Sequence, residues 1–355
     1  MLNSFLILIA ATVFAYASQL QTERCAAHGK VYRVHEDPGY LALVIMFVLY
    51  AGFRTDYNDT MNYAGIFKDA PNIVTYFAEM EEFNLLANPL YYIFQSIIKT
   101  FTGNWRWLIL LSSVYVQLIF IRFIKRYSTN FVLSMFIYVC MGTFSLSMAA
   151  IKQTMAMATL CLAIPFLEKK KWVPFYSLVF IAMLFHTYAL AFAVLPLFML
   201  KPWRKFTYIF VILVVVLLMN FETVITDFLD QADEMGKTIA EYEVFDEYTV
   251  NIMRVAVYAV IPLLTLVLQR WLFHDSVPIE NLLVHMSIIS LAFMSMGTQS
   301  GANMFGRMAN YFELGTICCL PWVIEKAFEE RTARYVAVTA AVCFFGFYSY
   351  GALLG

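Results

Sequence analysis

Four places along this chain set polar or ionisable side chains among apolar neighbours. Arg54-Thr55-Asp56-Tyr57 follows directly on an apolar run, with Asp59, Asn62 and Tyr63 close behind. Ile151-Lys152-Gln153 lies at the junction of two such runs, His186 interrupts another, and Arg307 leads Asn310, Tyr311 and Glu313 into the fourth. Charged groups inside a bilayer cost on the order of 2.5 to 3.5 kcal/mol each, so those kept at its edge are functional candidates. Arg54, Lys152 and Arg307 suit phosphate, because Arg presents a bidentate fork and Lys a compact charge. Asp56 and His186 are the groups able to orient or deprotonate a hydroxyl. Tyr57, Gln153, Tyr311 and Glu313 supply further polar contacts. Each has a plainer use: Arg54 and Lys152 as interface anchors, His186 as a turn residue, and Glu313 as an ion-pair partner of Arg307 on roughly the same helix face.

Other chemistries find no support. P-loop, GxGxxG and HExxH patterns are absent, so nucleotide hydrolysis within the chain is not expected. The six cysteines show no CxxC or Cys/His ligand spacing, so neither a disulfide framework nor a metal site nor a cofactor is expected. A nucleic-acid role is unsupported by a formal net charge of -1.

The elements that must position these residues are membrane helices. Hydrophobic residues make up 61% of the chain and charged ones 14%, with mean hydropathy +0.69; soluble domains run near half apolar and about a quarter charged. A spanning helix takes roughly 20 apolar residues. Candidate runs are 2–20, 39–53, 105–124, 131–148, 150–167, 173–200, 206–221, 252–270, 279–297, 303–323 and 334–354, without an interrupting soluble domain. Lys/Arg-rich loops at 24–33, 122–126, 169–171, 201–205 and 326–334 are expected on the cytoplasmic side. The segments 54–104 and 222–251, the second strongly acidic, are expected outside.

Run 173–200 carries cytoplasmic-type charge at both ends, which predicts a helical hairpin turning near Phe185, His186 and Thr187. In 85–101, Leu86, Leu90, Phe94, Ile97, Ile98 and Phe101 recur at helical spacing with Asn88, Gln95, Ser96 and Lys99 between them. That pattern predicts an amphipathic helix lying in the interface, with Tyr91 and Tyr92 on it. With these choices about twelve crossings leave both termini outside. Ala15-Tyr16-Ala17 resembles a signal-peptidase site, but three basic residues follow the first run and none precedes it, so a retained anchor is expected. All four polar places then fall at one extracytoplasmic level.

The ordered set Gly52-Phe53-Arg54-Thr55-Asp56-Tyr57 with Tyr63 and Phe67, Ile151-Lys152-Gln153 with Ala156 and Ala158, Lys169 to Lys171, Phe185-His186, and Arg307 with Tyr311, Phe312 and Pro321 resembles the EpsG family. The resemblance implies an all-α polytopic transmembrane bundle, GT-C-like, acting as a Wzy-like polymerase of exopolysaccharide or capsule synthesis in the cell membrane. It also implies a metal-independent glycosyltransferase whose substrates are undecaprenyl-diphosphate-linked repeat units, with a flippase and a chain-length regulator as partners. The family usually has Arg where Lys152 stands, which turns a bidentate contact into a point charge. Two rival classes remain open on sequence: a lipid-linked oligosaccharide flippase, and a ligase or acyltransferase of surface polysaccharide.

Overall fold

A computed structural model of the chain describes residues 2–80, 83–221, 249–299 and 301–354, and the regular structure among them is helical. The acidic segment lies outside the described residues for 222–248. The chain divides into two compact units, one of residues 1–193 with 334–355 and the other of 194–333.

In the first unit, α1 (Leu2–Ala27) and α2 (Pro38–Gly52) cross at Gly39. A Cβ on Gly39 would fall 2.5 Å from the Ser18 backbone nitrogen, so only glycine lets the helices approach this closely. Asp37 caps α2 by accepting from the Tyr40 N–H at 2.9 Å, and its other oxygen accepts from Ser18 Oγ at 2.6 Å and the Tyr32 hydroxyl at 2.7 Å. Burial and that bond hold the Tyr32 hydroxyl well above its ordinary pKa range. Near the end of α6 (Arg106–Tyr127), Lys125 donates to Ser18 Oγ at 2.8 Å and Thr22 Oγ1 at 2.9 Å. Arg126 pairs with Glu168 at 3.3 Å, at the end of α9 (Ile151–Glu168). One end of the unit therefore gathers the basic turns that the sequence assigns to a single side.

At the other end of α2, a Cβ on Gly52 would meet Leu110 of α6 at 2.6 Å. Three short helices follow: α3 (Thr60–Asp69), α4 (Ile73–Ala78) and α5 (Pro89–Phe101). Lys99 of α5 donates to the carbonyls of Phe67 and Lys68 at 3.1 and 2.7 Å, closing the carbonyl end of α3. Run 131–148 is two helices, α7 (Phe131–Cys140) and α8 (Thr143–Ala149), bent by 51°. The bend sits at Gly142, whose φ of +89° suits glycine. From α9 the chain turns through Lys169–Lys171 into α10 (Trp172–Phe185). α10 stops at His186, which is extended, and a 3-10 segment runs from Thr187 to Met199. The hairpin expectation thus meets a real break at the expected residue.

The helix expected over 85–101 forms as Pro89–Phe101, shorter because Asn88 takes a left-handed conformation and Pro89 starts it. Its orientation corrects the simple amphipathic reading. Tyr91, Gln95 and Ser96 are buried inside the protein, while Ile97 is exposed and Phe101 is 85% exposed. Lipid, unlike water, leaves apolar residues free to face outward and makes the polar edge seek protein partners.

The second unit holds α11 (Lys205–Met219), α12 (Ile252–Val267), α13 (Gln269–Leu272), α14 (Pro278–Met296) and α15 (Ala302–Ala327). α14 and α15 run antiparallel: Ser290 Oγ donates to the Ala309 carbonyl at 2.8 Å, and Trp322 Nε1 to Glu280 at 2.7 Å. Between those contacts a Cβ on Gly315 would fall 2.5 Å from Met286 Cβ. α16 (Glu330–Leu354) returns to the first unit, where Phe345 and Tyr348 pack on Phe5 at 5.8 and 5.9 Å.

Phe5–Ala27, Arg106–Tyr127 and Pro278–Met296 are long and apolar enough to cross a bilayer, as is the bent α7–α8 pair taken as one span. Five further apolar helices are shorter. Polarity runs opposite to that of a soluble domain. Gln117 sits buried between Tyr138 and Ser147 at 2.9 and 2.7 Å, while Ile9, Val13, Ile212 and Leu213 are exposed. Apolar faces of this extent mark a lipid-facing surface, and the chain is a multi-pass membrane protein.

Candidate functional site

Arg54 follows the last turn of α2 and folds back under it. The residue is 9% exposed, so it is not a snorkelling anchor. Its Nε donates to Thr60 Oγ1 at 3.0 Å, and its Nη1 donates to Ser113 Oγ at 3.3 Å and to the Ala51 carbonyl. These neutral acceptors come from α2, α3 and α6, so the guanidinium ties three elements together. Its Nη2 is buried and has no partner among the described residues.

Lys152 stands in the first turn of α9. Its Nζ donates to the Tyr92 hydroxyl at 2.8 Å and lies 4.3 Å from the Tyr92 ring centroid and 4.9 Å from that of Tyr91. Both rings belong to α5, and each face attracts a cation. Tyr91 is fully buried, with its hydroxyl unpartnered among the described residues, and its ring sits 6.0 Å from Tyr63 of α3. Tyr63 and Tyr57 are in turn close enough to feel the charge of Arg54. Tyrosines therefore run from one cation to the other. Neither Arg54 nor Lys152 forms an ion pair among the described residues.

Asp56 is exposed and accepts from Thr55 Oγ1 at 3.3 Å. Tyr57 is also exposed, and Gln153 is buried beside Lys152. His186 is half-buried with its ring against Tyr188. The next residue, Thr187, donates its N–H to Asn88 Oδ1 at 3.2 Å and its hydroxyl to the Leu86 carbonyl at 2.9 Å. The tip of α10 is thereby fastened to the start of the helix that holds Lys152. The anchorages of Arg54, Lys152 and Thr187 all lie away from the end where Lys125 and Arg126 are bound.

Two cavities open beside Tyr92. One, of about 370 Å³, is lined by Asp69, Tyr76, Tyr92, Gln95 and Ser96 among others. Its neighbour, of about 270 Å³, shares Tyr76 and Tyr92 and adds Glu79, Phe83 and Asn84. Gln95 donates weakly to the Ile66 carbonyl at 3.4 Å, and its Oε1 is buried without a partner among the described residues. Aromatic faces beside carboxylates and amides make a surface able to stack on a ring and bind its hydroxyls.

Arg307, Tyr311 and Glu313 belong to the second unit, on α15. Arg307 is exposed, whereas Tyr311 and Glu313 are buried. The shared helix face expected for Arg307 and Glu313 is corrected here: six residues at about 100° each turn the two side chains well apart. Glu313 accepts from the Tyr258 hydroxyl at 2.9 Å, and Arg254, one turn before Tyr258, reaches that same hydroxyl. Sequence reading passed over Arg254 and Tyr258, although a cation near the start of an apolar helix is the kind of signal that marked Arg307. Ser113, Thr60 and Tyr76 carried no comparable signal. Among the described residues no three His, Cys, Asp or Glu side chains gather as a metal site.

A family model described as the EpsG family matches residues 40–354. No curated protein and no solved structure matches the chain.

Proposed function

The chain belongs to the EpsG family, and on that premise we propose that it is a polysaccharide polymerase acting on lipid-linked repeat units at the outer face of the membrane. The observation that carries this reading is the pair Arg54 and Lys152. They are two cations without ion-pair partners among the described residues, joined through tyrosines at one end of a membrane unit. A buried cation that lacks a carboxylate is costly unless an anion completes it, and a lipid diphosphate is the anion this chemistry fits.

In the proposed reaction a hydroxyl of the acceptor's end sugar attacks the anomeric carbon of the growing glycan. The new C–O bond forms as the bond to undecaprenyl diphosphate breaks, and the bonding electrons leave on the diphosphate. Arg54, through the one nitrogen without a partner among the described residues, and Lys152 stabilise that charge; Arg307, on the second unit, keeps the diphosphate-binding role read for it from sequence. Asp56 or His186 takes the hydroxyl proton. The two cavities around Tyr76 and Tyr92 receive the sugars, with Lys152 on the far side of the Tyr92 hydroxyl. Tyr57 and Gln153 serve as binding or positioning groups in the first unit, and Tyr311 and Glu313 as polar groups beside Arg307 in the second. Incubating purified protein with its lipid-linked repeat unit, without nucleotide sugar, is expected to give a ladder of lengthening products. Normally inserted Arg54→Ala or Arg307→Ala protein that still makes full-length polymer would sink the assignment.

A further inference from the structure

A second cationic pocket lies wholly within the second unit and shares no lining residue with the cavities beside Tyr92. A cavity of about 390 Å³ is walled by Lys201, Trp203, Arg204, Gln269, Arg270 and His274 among others. Among the described residues no carboxylate lines it. The three permanent cations form no ion pair among the described residues, and Asp275, next to His274 in sequence, is engaged by Lys326 at 2.7 Å. Three like charges facing one space repel each other unless something negative fills it.

The pocket is built rather than incidental. Lys201 Nζ donates to the His274 carbonyl at 3.0 Å, holding the two loops together. Trp203 is buried in a left-handed conformation, φ +54°, and its Nε1 donates to Thr265 Oγ1 at 3.1 Å. A bulky residue held at positive φ stores strain that the surroundings must impose; here the hydrogen bond to α12 imposes it. Arg204 is the N-cap of the 15-residue helix α11 and makes no side-chain capping bond, so the positive end of that helix adds to the same field. Beside Arg270, Trp271 is 66% exposed, the position of a residue at the bilayer–water boundary.

We propose that this pocket binds the phosphate of an anionic phospholipid headgroup. Three cations, a helix N-terminus and an indole floor recognise a phosphate monoanion or diester. The exposed Trp271 puts the mouth where headgroups lie, which favours a lipid over a soluble phosphate. One of the two loops, 201–205, is among those whose charge the sequence assigns to the cytoplasmic side, the side of anionic headgroups.

The test uses purified full-length protein in detergent, offered phosphatidylglycerol, phosphatidylcholine or inorganic phosphate, with bound lipid read by native mass spectrometry. Wild-type protein is expected to retain phosphatidylglycerol over phosphatidylcholine by about a hundredfold, roughly fivefold per cation. The variant K201Q/R204Q/R270Q is expected to lose most of that preference, and Arg270→Gln alone, at an exposed position, about fivefold of it. A control K169Q/K170Q/K171Q, which removes as much charge from a turn without the pocket, is expected to keep it. Equal loss in the control, or no loss in either pocket variant, overturns the proposal. Displacement of phosphatidylglycerol by millimolar inorganic phosphate overturns the lipid as its source.

Discussion

Lys152 and Tyr92 allow the charge of one cation to be separated from its placement. Tyr92→Phe removes the hydroxyl that accepts from Nζ at 2.8 Å and leaves the ring 4.3 Å away, so the cation–π contact survives. A hydrogen bond to a charged group contributes about 1.5 to 3 kcal/mol. Lys152 is only half-buried, so the low end applies, and polymerisation should slow about tenfold. Lys152→Met keeps most of the stem and removes the charge. Loss of a preorganised group facing developing negative charge costs about 2.7 to 4 kcal/mol, a slowing of about 10² to 10³. Lys152→Arg keeps the charge between the same two rings and should stay within severalfold of wild type. Initial rates of ladder formation from a purified lipid-linked repeat unit measure all three, with thermal unfolding in detergent as the check on folding. A folded Lys152→Met protein at wild-type rate would refute the argument. So would Tyr92→Phe falling as far as Lys152→Met, since the bond and not the charge would then account for the loss.

Arg54→Gln removes donors to three elements at once and should lower unfolding stability by about 1 to 3 kcal/mol, besides abolishing polymer; an unchanged melting temperature would contradict its bracing role. Gly315→Ala forces a Cβ to 2.5 Å from Met286 Cβ and should cost about 1 to 3 kcal/mol as overpacking, read by the same melts. Tyr76→Ala should raise the KM for lipid-linked acceptor and leave kcat nearly unchanged, because it touches the cavities and not the cations; a fall in kcat alone would place Tyr76 elsewhere in the cycle. Glu313→Gln should retain a hydrogen bond from Tyr258 and fold normally, whereas Glu313→Leu, which leaves that buried hydroxyl unmatched, should melt earlier; equal melting of the two would argue against the Tyr258 bond.

Most helix boundaries were legible because lipid demands long apolar runs and punishes charge. The span read at 105–124 forms at Arg106–Tyr127, and that read at 279–297 at Pro278–Met296. The interruption at His186 was legible as a conflict of charge at both ends of one run. The direction of α5 was not, because a helix between protein and lipid buries its polar edge, and periodicity alone does not say which solvent it faces. The polar residues of the site stood out for their expense. Their partners did not: Ser113 and Thr60 look like ordinary small residues until Arg54 folds onto them. Lys152 was found as a charge, but its pairing with Tyr92 joins residues 60 positions apart, a distance no local pattern spans.

The length of α6 between its two tethers sets a thickness. Ser113 accepts from Arg54 and Lys125 reaches Ser18 and Thr22, 12 residues further on, a rise of about 18 Å. The hydrocarbon layer of a typical bilayer is about 30 Å. A bilayer of that thickness would match these two levels only by local thinning, and mismatch costs fractions of a kcal/mol per Å. On the proposed reading, a lipid-linked phosphate that reaches Arg54 would therefore sit below the headgroup plane of an unthinned bilayer.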